Sequence, residues 1–140
     1  MQDQPMRYCL ITPEGDLSFD TATLPEIRIR LGANMAGETG LEWLDSLYPV
    51  AAYYYVPFAQ DTRRMNKAAN GMFWELSAPV ERADDDGEPE ERDPADRVIK
   101  MRGPVAFINR YAWGVSEEQE AALRTSYTQV VTRLRDRGWL

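Results

Sequence analysis

The stretch SEEQEAALRTSYTQVVTRLRDRG, Ser116 to Gly138, carries the strongest structural signal in this chain of 140 residues. Ser116-Glu-Glu-Gln119 is a capping box: the serine hydroxyl can accept from the N3 amide while the glutamine side chain reaches back to the serine amide. Glu117, Glu118 and Glu120 crowd the first turn, and Arg133, Arg135 and Arg137 the last, each favourable to the helix dipole. Leu123, Tyr127, Val130, Val131 and Leu134 share one face, and Gly138 supplies a C-terminal stop. The spacing predicts a long helix over 116–137 that must bury one stripe against another layer.

Working back from it, Val105-Ala-Phe-Ile108 follows the bend Gly103-Pro104 and reads as a strand, with order resuming at Val98 to Met101. Val50-Ala-Ala-Tyr-Tyr-Tyr-Val56 is aromatic and β-branched, the pattern of a central strand, which Pro57 ends. Met6 to Ile11 reads as an opening strand, the Thr12-Pro-Glu-Gly15 turn reverses it, and Leu17 to Asp20 alternates as the returning half of a hairpin. Thr23-Leu-Pro-Glu26 is a second capping box, and Leu24, Ile27 and Leu31 form one helical face before Gly32. Thr39-Gly-Leu-Glu42 matches a third, with Leu41, Leu44 and Tyr48 on one face, predicting another short helix that stops at Pro49. Asn66 and Asn70 are turn candidates, and Met72 to Leu76 fits a strand or a short helix.

The fold expected is therefore α+β: a mixed or mainly antiparallel sheet of four to six strands, two short helices, and the C-terminal helix packed on one face. Residues 1–140 form one domain with a loop insertion at 79–97. That insertion concentrates charge. Glu81 to Arg97 holds nine acids and three arginines, a net of −6 out of −7 for the whole chain. Three prolines and almost no apolar residues make it a loop or disordered segment.

Composition removes several chemistries. The chain has no histidine, so histidine triads and histidine metal sites are excluded, and the single Cys9 permits no internal disulfide. Cys9 lies in an apolar run, where a buried inert thiol is expected. The five serines sit in no nucleophile elbow, no Gly-rich phosphate loop occurs, and a Ser–Lys dyad has only Lys67 or Lys100 to draw on. Asp84, Asp86, Gly87 and Glu88 can be laid on a calcium loop, but Arg82 and Asp93 occupy its two anchoring positions, so no metal is assigned. No cofactor is assigned either. The longest apolar stretch, Pro49 to Ala59, is too short for a membrane span, and the N-terminus does not read as a signal peptide, so a cytoplasmic protein without membrane contact is expected.

Three function classes remain. In a binding protein, contacts would come from the acids Asp84, Asp85, Asp86, Glu88, Glu90 and Glu91, from Arg63, Arg64, Asn66 and Lys67, and from Trp113, which flanks the last helix as Trp139 does. In a small carboxylate-based or metal-assisted enzyme, Glu42, Asp45 or Glu75 would line a cleft; the residues lean against an enzyme without deciding it. In a single-strand nucleic-acid binder, Tyr53, Tyr54 and Tyr55 would stack bases beside Arg63, Arg64 and Lys67. The acidity of the chain disfavours that last class. Alternation also places Tyr54 on the opposite strand face from the other two.

Arg7-Tyr-Cys-Leu-Ile-Thr-Pro, the helix Leu24 to Leu31, the strand Ala52 to Val56, Asn66-Lys-Ala-Ala and Arg102-Gly-Pro-Val-Ala-Phe-Ile together resemble a family of small proteins of phages, plasmids and other mobile elements. The resemblance spans residues 6 to 109. That family is sometimes likened to the N-terminal part of antirestriction proteins that mimic DNA. The resemblance implies a setting, a mobile element in a bacterial cell, rather than a mechanism. Together with the missing catalytic chemistry, the small size and the acidic loop, it leads to the expectation of a non-enzymatic acidic binding protein that occupies a bacterial host protein, as an antirestriction-like, anti-defence inhibitor does.

Overall fold

The computed structural model describes residues 4–77, 100–111 and 114–140. The acidic segment, with Asp84, Asp85, Asp86, Glu88, Glu90 and Glu91, lies outside the described residues, as do Val98, Ile99 and Trp113. The fold is α+β. Five antiparallel strands, β1 (Met6–Ile11), β2 (Leu17–Ala22), β3 (Gly37–Trp43), β4 (Val50–Pro57) and β5 (Val105–Asn109), form one sheet in the order β2-β1-β5-β4-β3. Helix α1 (Leu24–Leu31) covers one face, and α2 (Lys67–Ser77) and α3 (Glu117–Asp136) cover the other. No helix among the described residues is long and apolar enough to cross a membrane.

Strand alternation sorts side chains into two cores. Cys9, Ile11, Val50, Ala52, Val105 and Phe107 point toward α2 and α3, where Leu123, Val130, Val131 and Leu134 meet them. Tyr8, Tyr53, Tyr55, Ala106 and Ile108 point toward α1, against Ile27 and Leu31. Both faces bury apolar residues, so β5 is an uninterrupted buried run and occupies the middle of the sheet. β4 is also interior, paired on both sides, but lies one place from the edge. Burial pushes the Cys9 thiol up to about 12, leaving it protonated and unreactive at neutral pH.

Two of the three predicted capping boxes form. Thr23 and Glu26 exchange the reciprocal bonds of a capping box, and so do Ser116 and Gln119. At the far end of α3 the cap residue is Arg137. Gly138 follows it at φ +71°, a conformation that suits glycine, and its amide donates to the Arg135 carbonyl while the Trp139 amide donates to Leu134.

Two local readings are corrected and one open alternative is decided. Thr39 to Tyr48 is not a helix: Gly37–Trp43 pairs along its whole length with β4, from Gly37 opposite Pro57 to Trp43 opposite Ala51. A seven-residue ladder outweighs a four-residue capping pattern that contains a helix-poor glycine. Gly40 suits the strand, since a Cβ there would lie 2.4 Å from the Tyr54 ring. Only a short 3₁₀ turn, Asp45–Leu47, remains of the predicted helix. Second, the choice between strand and short helix for Met72 to Leu76 falls to the helix, since they belong to α2. Third, Asn66 and Asn70 are not surface turn residues. Asn66 is buried and caps α2 by accepting from the Ala69 amide at 3.0 Å, while Asn70 pairs with both backbone groups of Met101, at 3.0 and 3.1 Å.

β1 and α3 are also clasped at the surface. Arg7 donates twice to Glu120, at 2.9 and 3.1 Å, Arg124 adds a third bond at 3.2 Å, and both guanidiniums sit over the Phe19 ring. Arg7 holds the Glu120 carboxyl below the usual carboxylate range. A carboxyl whose pKa falls on folding stabilises the fold above its unfolded pKa and stops doing so as pH drops through the folded value. Glu26, lowered by its cap bonds to Thr23, and Asp61, lowered by Arg63, act in the same direction. The melting temperature should therefore change little from pH 7 to 5 on their account and fall below about pH 4.5. Glu120→Gln should flatten part of that fall; thermal melts between pH 7 and 3 that show identical slopes in both proteins would refute the assignment.

Candidate functional site: an aromatic cluster beside an arginine cleft

Three chain segments meet at one end of the sheet. Trp43 is the last residue of β3, Tyr48 follows the 3₁₀ turn, and Tyr111 lies two residues beyond β5. The pairing of Val50 with Asn109 brings the start of β4 beside the end of β5. The Arg110 amide donates to the Pro49 carbonyl at 3.0 Å, and the Tyr111 amide to the Asn109 side chain at 3.1 Å. Asn109 in turn donates to Gln119 in the cap of α3, so the loop that carries Tyr111 is anchored to the start of the long helix.

The three rings lie at centroid separations of 5.2, 5.8 and 6.1 Å, in tilted and edge-on arrangements. Such contacts are typical of aromatic pairs and contribute beyond simple burial. Yet Tyr48 is 59% exposed and Tyr111 69% exposed. The neighbouring Tyr111 hydroxyl raises the Tyr48 pKa above the ordinary phenol range, keeping its proton in place. The result is a preassembled aromatic surface facing solvent.

On the α1 side of the sheet, next to this cluster, a cleft of about 290 Å³ opens between α1 and β3. α1 has only eight residues and leaves that part of the sheet uncovered. Leu41 and Ile108 form apolar walls, and among the described residues Arg28 and Arg110 are its only charged lining residues. The Arg28 Nε donates to the Tyr53 hydroxyl at 2.7 Å, which orients the guanidinium. Trp43 lies two residues beyond Leu41 on the same strand face, so cleft and aromatic cluster are contiguous.

The residues proposed from sequence are placed differently. Arg63 is directed inward: its guanidinium donates to the carbonyls of Leu31 at 2.8 Å and Tyr55 at 2.7 Å, and makes paired bonds to Asp61 at 2.9 and 3.0 Å. Asn66 holds the Ile11 and Gly103 carbonyls, both at 2.9 Å. Arg64 is exposed, and Lys67 begins α2. Tyr53 and Tyr55 belong to one core and Tyr54 packs against the other. Among the acids weighed for catalysis, Glu42 accepts from Tyr54 at 3.0 Å, Glu75 pairs with Arg133 at 2.8 Å, and Asp45 opens the exposed 3₁₀ turn. Burial, reinforced by Glu42, pushes the Tyr54 hydroxyl up to about 12. Among the described residues no group of three or more acids or cysteines is gathered as a metal site.

The sequence reading singles out neither Arg28, Arg110 nor Tyr111. The available signal was slight: Arg110 and Tyr111 follow directly on a buried strand, where bulky polar-tipped residues must emerge at the surface. Comparison with protein-family models, curated proteins and solved structures finds no match to this chain.

Proposed function

We propose that this chain is a non-enzymatic binding protein that occupies a bacterial host protein, and that the Trp43, Tyr48 and Tyr111 cluster is its contact surface. The family resemblance suggests the setting, a mobile element whose product restrains a host defence system. The observation that carries the reading is the exposure of two mutually packed tyrosines on a rigid platform. Tyrosine, tryptophan and arginine are the residues that dominate binding energy at protein interfaces, because they combine large contact area with few rotatable bonds. A cluster left in water contributes less to its own fold than a buried one would, and contiguous exposed apolar surface of this kind marks interaction sites.

The test compares wild-type protein with the double variant Tyr48→Ser, Tyr111→Ser as immobilised bait in bacterial lysates, with and without phage infection. Both proteins should show the same circular dichroism and similar melting. Wild type should retain one stoichiometric partner, and the variant should retain it at least about tenfold more weakly, as for the loss of interface anchors. A second bait, with residues 79–97 replaced by a Gly-Ser linker, should capture like wild type. Equal capture by the tyrosine variant, or no stoichiometric partner under either condition, would defeat the proposal.

A further inference from the structure

We propose that the cleft between α1 and β3 is a recognition pocket for a single carboxylate carried beside an apolar residue on the partner protein. This rests on the aromatic cluster being a protein-binding face, and names the chemistry that the face selects. The argument begins with charge. The chain carries a net −7, yet among the described residues the cleft is lined by Arg28 and Arg110 and by no acid. Among the described residues neither guanidinium has an ion-pair partner. Arg28 is already oriented through its Nε bond to Tyr53, and among the described residues its Nη groups make no hydrogen bond. A planar guanidinium held in this way is suited to receive a carboxylate through paired bonds.

Size and field narrow the ligand further. A volume of about 290 Å³ corresponds to about ten water-sized volumes, enough for one or two side chains and too small for a helix or a nucleic-acid duplex. An extended polyanion would also have to approach a molecule of its own sign. A lone carboxylate meets the two arginines at short range, while exposed charges farther than about 8 Å are screened at physiological ionic strength. Leu41 and Ile108 provide apolar walls for the flanking side chain, and Thr39 and the Tyr53 hydroxyl offer further polar contacts. The continuity of the cleft with Trp43 places this pocket at the edge of the proposed contact surface rather than elsewhere on the protein.

The experiment is an NMR titration of the full chain with two capped tripeptides, acetyl-Leu-Glu-Leu-amide and acetyl-Leu-Gln-Leu-amide, and with a thymidine octanucleotide. The glutamate peptide should shift the amides of Leu41, Ile108 and Arg110 saturably, and the glutamine peptide should bind at least about tenfold more weakly. Arg28→Gln and Arg110→Gln, both at exposed or half-exposed positions, should each weaken the glutamate peptide about tenfold while leaving the spectrum folded. Equal binding of the two peptides, absence of shifts in the cleft, or tighter binding of the oligonucleotide would each overturn the pocket. The lysate assay separates the two readings. Partner capture that is lost with the tyrosine variant but unchanged in the Arg28→Gln, Arg110→Gln protein refutes the pocket and spares the contact surface. Peptide binding by a protein that captures no partner refutes the contact surface and spares the pocket.

Discussion

A chain ending at residue 115 is expected to be unfolded or aggregated at temperatures where the full protein is native. α3 delivers Leu123, Val130, Val131 and Leu134 to the core shared with Cys9, Ile11, Val105 and Phe107, and all four are buried. At about 1.5–3 kcal/mol for each fully buried aliphatic side chain, their loss removes about 6–12 kcal/mol. That is comparable with the whole stability of an ordinary domain, about 5–15 kcal/mol. The deletion also uncovers the inner face of β1 and β5, a contiguous apolar surface that favours association. Size-exclusion chromatography and a circular dichroism melt of residues 1–115 check it. A monomer with an unchanged melting transition would show that α3 is an accessory to the fold rather than one of its layers.

Among single substitutions, Asn66→Ala should be one of the most damaging. Asn66 is buried, its amide nitrogen donates to Ile11 and Gly103, and its carbonyl oxygen caps α2 through Ala69. Alanine would remove the side-chain partner of two buried carbonyls and of one helix N–H. Unsatisfied buried groups cost about 1–3 kcal/mol each, and loss of a cap about 1 kcal/mol, so a total of about 3–7 kcal/mol is expected. For a domain of this size that lowers the melting temperature by about 10–30 °C. Arg64→Ala, two positions earlier and exposed, should stay within about 0.5 kcal/mol of wild type. Denaturant melts of the two variants make the comparison, and equal midpoints would show that Asn66 does not bridge β1, the Gly103 bend and α2.

The contrast between these neighbours shows where the sequence was readable. α1, α3 and the first hairpin were legible because their signals are local: caps, turn residues and apolar periodicity all fall within one element. Thr39 to Tyr48 was misread because a capping box and a strand can share the same four residues, and the choice was made by β4, which pairs with them. Asn66 and Asn70 carry the short polar side chains of turn residues. Their partners Ile11, Gly103 and Met101 arrive from distant parts of the chain, so nothing local distinguishes an internal bridge from a surface turn. Arg63 looked like a free cation for the same reason, although its partners include Leu31 and Tyr55.

By itself the sequence determined the α+β class, the long amphipathic helix, the exclusion of histidine chemistry and the concentration of acid in one segment. These follow from composition and from periodicities of two and 3.6, which need no tertiary contact to be counted. Only the tertiary structure decided the strand order, and with it the candidate site. Placing β5 between β1 and β4 brings Arg110 and Tyr111 to Trp43, Tyr48 and Arg28, residues that no spacing rule relates. Among the described residues it also leaves two arginines without an ion-pair partner in a chain of net negative charge, because local potential depends on which side chains the fold brings together and not on their sum.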